Sequence, residues 1–199
     1  GHWTLRDEAA QRRSPSTLCI MNPAERDNRI KALAERSSYI ENVLRHTLVA
    51  GLSSLVWSRD PFAALQVFNS EVDDSGFDIV LGLGTQVRYV QLKQAHEDKI
   101  PPHCSVRLSF SSLPGSCVVL MSHTLADLRL TKFRFFGGAP NEPMSNIEAM
   151  RQPKSPGRRN AAGERKVRTN YREVPVKQFQ GPLSTTELLD VLFPVASDA

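Results

Sequence analysis

Two neighbouring runs of strand-forming residues constrain the fold of this chain more than any other feature. The runs cover residues 77–83 and 87–93, and both are rich in β-branched and aromatic side chains. A short turn, Gly84-Thr85-Gln86, separates them. Two such runs joined by a glycine-containing turn are typical of a β-hairpin. The sequence therefore predicts an antiparallel pair of strands in the middle of the chain.

The apolar pattern on either side of the hairpin predicts the other elements. Apolar residues recur at helical spacing from Ile30 to Leu52, and the unbroken run from Cys117 to Met121 is typical of a strand buried on both faces. Further strands are predicted at 55–57, 65–68 and 128–136, a short helix at 106–113, and a helix opened by a capping box at 184–193. These elements predict an α/β fold with a mixed central sheet flanked by helices.

Length and composition indicate how the chain is organised. The 199 residues, 40% of them hydrophobic, suit one domain with a sizeable core. We expect a polar N-terminal arm at 1–28 and a single α/β domain at 29–199. Within that domain, a basic loop is predicted at 139–177 because the stretch up to residue 170 is rich in Pro, Asn, Arg and Gly.

Membrane and disulfide-scaffold proteins are excluded by the same composition. The longest apolar runs fall far short of the roughly 20 residues that span a bilayer. The three cysteines, Cys19, Cys104 and Cys117, are too few and too scattered for a disulfide framework or a four-ligand zinc site. We therefore expect reduced, buried thiols and a cytoplasmic location.

Positive charge is concentrated late in the chain. Residues 151–177 contain nine basic and two acidic residues, a net charge of +7, and since the whole chain carries +4 the remainder carries −3. Lysine and arginine displace condensed counterions from phosphates, so this segment predicts a polyanionic partner. A solvated loop without a partner is the alternative. The candidate nucleic-acid contacts are Arg151, Lys154, Arg158, Arg159, Arg165, Lys166, Arg168 and Arg172.

The hairpin brings together side chains that suit phosphodiester chemistry. Because strand side chains alternate between faces, Gln91 and Lys93 are expected to share one face while Leu92 points to the core. Hairpin pairing is expected to bring Asp78 beside them. Carboxylate and amide oxygens bind hard cations such as Mg²⁺, and a lysine can orient or deprotonate water and stabilise charge on a phosphate. The sequence therefore predicts a metal-dependent hydrolytic site.

The sequence resembles the PD-(D/E)XK nuclease superfamily in its Gln-x-Lys variant, which is found among Mrr-type restriction enzymes and related to Holliday junction resolvases. The matching residues are Gly76-Phe77-Asp78 and Val90-Gln91-Leu92-Lys93, preceded by a helix that carries Glu41. The resemblance covers roughly residues 35–136 and implies a restriction-endonuclease-like core.

The resemblance implies a role for each matching residue. Asp78 would be the principal metal ligand, Gln91 the second ligand and Lys93 the catalytic lysine. Glu41 would be an accessory acid on the helix, and an ion pair with Arg45 is its structural alternative. Mg²⁺ is the implied metal, with Mn²⁺ as a substitute. Gln91 stands where the commoner pattern has a carboxylate, and Glu71 is a rival acid.

Three functions follow as hypotheses. The first is a metal-dependent endonuclease that acts on DNA, with RNA as an open alternative, in phage defence, restriction or DNA repair; paired cuts would suit a homodimer. The second is a catalytically weak or inactive nucleic-acid-binding or assembly subunit with the same fold. The third is a subunit of a larger complex that docks a partner protein through the helix at 184–192 and Phe193.

Overall fold

The structure is a computed structural model that describes residues 21–69, 76–155 and 163–195. Four α-helices, one 3₁₀ helix and eight strands are found in these residues. The helices are α1 (Pro23–Glu35), α2 (Ser37–Arg59), α3 (Leu108–Ser111) and α4 (Thr185–Leu192), with the 3₁₀ helix at Val176–Gln178. The strands are β1 (Gln66–Asn69), β2 (Ile79–Leu83), β3 (Gln86–His96), β4 (His103–Arg107), β5 (Ser116–His123), β6 (Leu130–Gly137), β7 (Tyr171–Pro175) and β8 (Gln180–Leu183).

A mixed six-stranded sheet forms the centre of the fold, which confirms the predicted α/β class. Its strand order is β1-β2-β3-β5-β6-β8. Strands β3 and β5 run parallel, and the other neighbours are antiparallel. Strands β4 and β7 form a separate two-stranded ribbon. This arrangement is consistent with a restriction-endonuclease-like core.

Two apolar cores lie on opposite faces of the sheet. The first packs the sheet against α2 and α4 and contains Leu44, Leu81 and Leu188, all fully buried. The second packs the other face against the β4–β7 ribbon, α3 and the segment 139–150, and contains Val106 and Ile147. Strand β5 lies between the two cores and is buried along its whole length, as its unbroken apolar run predicts.

The predicted hairpin is confirmed, and its two strands differ in length. Strands β2 and β3 pair antiparallel from Ile79↔Val90 to Leu83↔Gln86. Strand β3 then continues to His96 with β5 as its neighbour, while β2 has already ended. The sheet therefore opens at one end of β3, next to Gln91 and Lys93.

The N-terminal half differs from the prediction at both ends of its helical pattern. Helix α1 begins at Pro23, inside the predicted polar arm, and Asn22 caps it by accepting a hydrogen bond from the Glu25 N–H. The strand predicted at 55–57 is wrong, since α2 continues to Arg59. The reason is that Val56 extends the buried i, i+4 stripe of the same helix.

The C-terminal half contains three further corrections. The predicted basic loop at 139–177 contains strand β7, which pairs with β4. The helix predicted at 106–113 is shorter than expected, since β4 takes residues 106–107 and α3 covers Leu108–Ser111. Helix α4 confirms the predicted capping box, but Leu188, Leu189, Leu192 and Phe193 are buried in the first core. Phe193 and the apolar face of this helix are therefore not available as a docking surface.

Among the described residues, no helix is long and apolar enough to cross a membrane.

Candidate active site

The open end of β3 carries the candidate site. Two cavities lie there, with volumes of about 210 and 370 Å³. Asp78 and Lys93 line both of them. The smaller cavity, called here the crevice, also contacts Gln91, and the larger one contacts Glu41 on α2. The four residues singled out from the sequence are thus brought to one place by the hairpin and the helix packed on it.

Asp78 is held in position by backbone groups of β3. It lies one residue before β2, and its own N–H donates to the Val90 carbonyl at 2.9 Å. Its carboxylate Oδ2 accepts a hydrogen bond from the Leu92 N–H at 2.6 Å. Gly76 precedes it at a φ of 81°, where a Cβ would lie 3.0 Å from the Cβ of Phe110. The carboxylate is therefore oriented by the fold at the point where β2 and β3 separate.

Gln91 presents a buried oxygen beside this carboxylate. The residue is 8% exposed, and its Oε1 atom has no hydrogen-bond partner among the described residues. A buried acceptor left without a partner costs about 1–3 kcal/mol of stability. Such a group requires a partner outside the described side chains and backbone, either a water molecule or a ligand. A cation with a preference for oxygen ligands is one such ligand, because the amide oxygen can coordinate it.

Glu41 approaches the site from the helix side. It is exposed on α2 and lines the larger cavity together with Asn42 and Arg45. The structure does not show the alternative ion pair between Glu41 and Arg45. Arg45 Nη2 instead donates to Asn42 Oδ1 at 2.7 Å. Arg45 is a basic neighbour of the site that the sequence pattern did not identify. The rival acid Glu71 lies outside the described residues.

The oxygen donors at the site suit a hard cation, although they are few. Among the described residues, no group of three or more His, Cys, Asp or Glu is placed to hold a metal ion. The oxygen donors at the open end of β3 are instead the two carboxylates of Asp78 and Glu41 and the orphaned amide oxygen of Gln91. Oxygen atoms of both kinds are normal ligands of Mg²⁺, which keeps several waters when protein ligands are few.

Comparisons with known proteins add no assignment. No family model, curated protein or solved structure matches this chain. The site is therefore interpreted from its own residues.

The β4–β7 ribbon and the residues just before β7 supply part of the lining of the crevice. Ser105 and Arg107 on β4, Tyr171 on β7 and Arg168 just before it line the crevice with Asp78. Sequence reasoning missed Ser105, Arg107 and Tyr171 because neither strand of the ribbon was predicted. The run Tyr-Arg-Glu-Val-Pro at 171–175 does not alternate apolar and polar residues, because a charged residue, Arg172, occupies one of its two buried positions.

The nearby thiol is not a candidate nucleophile. Burial raises the pKa of Cys104 on β4 to about 11, and the positive charge of Lys93 opposes that rise. Burial likewise raises the pKa of Cys117 to about 12, opposed by the charge of Arg88. Both groups are neutral thiols near pH 7, and thiolates rather than thiols are nucleophilic.

The predicted nucleic-acid contacts occupy different environments. Lys154, Arg165 and Lys166 are exposed, and Arg151 is exposed while its Nε lies 3.2 Å from Glu173 Oε2. Arg168 lines the crevice. Arg158 and Arg159 lie outside the described residues.

Arg172 is a correction to this set. It is 7% exposed, and its guanidinium donates to the carbonyls of Glu148, Thr169 and Tyr171 at 2.6–2.9 Å. These bonds hold the turn before β7 against the segment 139–150. The side chain is thus part of the fold and is not available to a phosphate.

A larger cavity, about 870 Å³, lies beside the crevice. It is lined by α3 and by the segment 143–148, and Arg107 borders both spaces. Neither Asp78 nor Lys93 contacts it. It lacks the combination of carboxylate, amide oxygen and lysine on which the hydrolytic interpretation depends.

Proposed function

We propose that this chain is a metal-dependent endonuclease that hydrolyses phosphodiester bonds in DNA. The observation that carries the proposal is the orphaned Oε1 of Gln91, buried in the crevice that also contains Asp78 and Lys93. A buried acceptor beside a fixed carboxylate suits a divalent cation, and a lysine in the same crevice suits a phosphate.

Mg²⁺, with Mn²⁺ as a substitute, is the proposed cofactor. Asp78 and Gln91 would hold it, with Glu41 as the accessory acid from α2. When bound, the cation supplies Lewis-acid polarisation of the scissile phosphate and makes the attacking water more acidic. The hydrogen bond from the Leu92 N–H to Asp78 Oδ2 would favour cation binding, because it fixes the carboxylate in place beforehand.

Lys93 is proposed as the catalytic lysine. Lys93 lines both cavities, and its ammonium group carries three N–H donors. Donation to a non-bridging phosphate oxygen would stabilise the negative charge that develops during attack. Positive side chains that line the same crevice, Arg107 and Arg168, would hold neighbouring phosphates. DNA in the cytoplasm, in phage defence, restriction or repair, is the proposed setting.

The first experiment is plasmid cleavage by the wild type and Lys93→Ala. We expect relaxation and linearisation of supercoiled plasmid in Mg²⁺ or Mn²⁺ and none in EDTA. The Lys93→Ala variant should cleave at least about 100-fold more slowly, since it loses charge stabilisation at the phosphate. Lys132→Ala is the matched control, because Lys132 is an exposed lysine on β6 of the same sheet. It should cleave like the wild type.

Equal cleavage by Lys93→Ala and the wild type would overturn the assignment of the site. Cleavage in EDTA would overturn the metal requirement. Sedimentation velocity on the same samples tests the proposed homodimer, since a symmetric dimer would present two sites to two strands.

A non-catalytic nucleic-acid-binding or assembly subunit is the second candidate. It is favoured by the amide at position 91 and by the lack, among the described residues, of a three-membered group of metal-ligating acids, histidines or cysteines. Calorimetric titration of Mg²⁺ and Mn²⁺ distinguishes the two. Binding that is lost in Asp78→Asn and tightened about tenfold or more in Gln91→Glu supports the nuclease, because each change alters the charge on the cation's ligands. DNA binding without cation binding supports the second candidate.

A further inference from the structure

The crevice is lined in part by a stacked pair of side chains, Arg168 and Tyr171. The guanidinium carbon of Arg168 lies 3.7 Å from the centre of the Tyr171 ring, which is a stacking distance. Both residues line the crevice together with Asp78 and Lys93. The pair therefore shares one small cavity with the proposed hydrolytic residues.

Backbone hydrogen bonds fix the position of this pair. Tyr171 is the first residue of β7 and pairs with Arg107 of β4. The N–H of Tyr171 donates to the Arg168 carbonyl at 3.1 Å, and the N–H of Arg168 donates to the Pro153 carbonyl at 2.8 Å. A bridge between Lys154 and Val167 extends this pairing. The stack is consequently held by the ribbon and by a second short pairing.

The chemistry of the pair suits a nucleobase. A guanidinium that lies over one aromatic ring presents its second face to another flat group, and its N–H edge can donate to phosphate. Aromatic rings and arginine planes are the groups on which proteins stack unpaired bases, and stacking tolerates any base because every base has a π-face. A paired base inside a duplex does not offer that face.

The size of the crevice points the same way. Its volume is about 210 Å³. Pockets that enclose drug-sized ligands have volumes of about 300–1,000 Å³. A space of this size suits one small flat group, such as a single nucleobase.

We propose that Arg168 and Tyr171 form a stacking platform for one unpaired nucleotide next to the scissile phosphate. The site consequently prefers single-stranded, frayed or flapped nucleic acid to blunt duplex. This inference rests on the proposed function and names its substrate class. Arg168 and Tyr171 determine specificity in it, whereas Asp78, Gln91 and Lys93 carry the chemistry.

The test measures binding by fluorescence anisotropy with the full chain in Ca²⁺. The probes are a fluorescein-labelled single-stranded DNA, the same DNA as a blunt duplex, and a single strand with one abasic residue placed in turn at each central position. The wild type should bind the single strand at least about fivefold more tightly than the duplex, and one abasic position should remove most of that preference.

Four variants separate stacking from charge and from folding. Arg168→Lys keeps the charge but loses the plane, and Tyr171→Ala loses the ring, so both should weaken single-strand binding by about fivefold or more. Tyr171→Phe keeps the ring and should bind like the wild type. Arg165→Ala removes an exposed charge nearby and should weaken both probes alike. Quenching of 2-aminopurine in the bound strand should be lost in Tyr171→Ala and retained in Tyr171→Phe.

The outcomes separate this inference from the proposed function. Metal-dependent cleavage with equal affinity for single strand and duplex would overturn the platform and leave the nuclease standing. Wild-type affinity of Arg168→Lys for the single strand would also overturn the platform. Because this change is conservative, its result stands even if Tyr171→Ala fails to fold. Failure to bind either probe, together with failure to cleave, would overturn both.

Discussion

Arg88 on β3 shows what a buried polar group looks like when the fold itself satisfies it. It is 1% exposed and donates to the carbonyls of Leu192 at 2.7 Å, Gly138 at 2.9 Å and Val191 at 3.1 Å. Two of these carbonyls end helix α4, where the helix dipole favours a cation. Gln91, three residues further along the strand, has an oxygen that no described residue satisfies. The guanidinium of Arg88 therefore needs no further partner, whereas the Oε1 atom of Gln91 still does.

Replacing Arg88 should destabilise the fold. We expect Arg88→Met to lower the free energy of unfolding by about 3 kcal/mol, because three carbonyls, one buried and two partly buried, lose a charged donor. Urea denaturation measures the change. Arg129→Met is the control, since Arg129 is exposed in the turn before β6 and its loss should cost less than about 0.5 kcal/mol. Equal losses in the two variants would show that the three hydrogen bonds contribute no net stability.

At the scale of elements, the residues Ser184-Thr185-Thr186-Glu187 predict the start of helix α4, and the structure confirms it. Ser184 Oγ accepts from the Glu187 N–H at 3.2 Å, and Glu187 Oε2 accepts from the Ser184 N–H at 2.7 Å. Such reciprocal caps are local, so sequence spacing is enough to predict them. The strand predicted at 55–57 was wrong because a short apolar run fits a strand or a buried helix equally well, and packing on the sheet decided for the helix.

The cap of α4 should give stability that depends on pH. Hydrogen bonds from the Ser184 N–H, and then from its hydroxyl, lower the pKa of Glu187 below its ordinary value. The ionised form is favoured in the folded state, so this contribution is present above the unfolded pKa and lost as pH falls through the lower folded pKa. The melting temperature of Glu187→Gln should therefore fall below that of the wild type at pH 7, and the difference should shrink on acidification.

Circular dichroism melts across that pH range check the expectation. Glu142→Gln, at an exposed position outside any helix, should track the wild type at every pH. A difference between Glu187→Gln and the wild type that persists unchanged in acid would show that the charge of Glu187 does not stabilise the cap.

At the scale of the whole molecule, charge separates the segment 151–177 from the rest of the chain. Its described part is ordered by pairing with β4 and by the bridge between Lys154 and Val167, so it is not the free loop that its composition predicts. The ordered part brings Arg168 into the crevice and leaves Arg165 and Lys166 exposed. Positive charge is thereby presented next to the proposed hydrolytic residues.

Neutralising the basic segment should weaken DNA binding and make it less sensitive to salt. Replacing Arg158, Arg159, Arg165 and Lys166 with Gln should reduce the slope of log affinity against log salt by up to about 3 to 4, since each lost phosphate contact releases fewer counterions. Anisotropy titrations from 50 to about 200 mM salt measure the slope. A control with Arg129→Gln and Lys132→Gln should keep it. An unchanged slope would exclude the segment as a DNA contact.

The sequence by itself determined the elements and residues whose causes are local. The hairpin, the buried strand β5, the cap of α4 and the shared placement of Asp78, Gln91 and Lys93 follow from alternation, turn residues and spacing over fewer than about 20 positions. Glu41 could be expected near them only through the family resemblance, because nothing local links a helix at 37–59 to positions 91–93 of strand β3.

Tertiary structure alone decided which residues of the β4–β7 ribbon line the crevice together with the hairpin. Strands β4 and β7 pair across more than 60 residues of chain, and that pairing places Arg107 and Tyr171 on the crevice wall while burying Arg172. Whether an arginine contacts carbonyls of its own chain or faces a cavity depends on which distant backbone packs beside it. Composition is the same in both cases, so the sequence predicted one role for all eight basic residues, and the fold places the six that the structure describes in different environments.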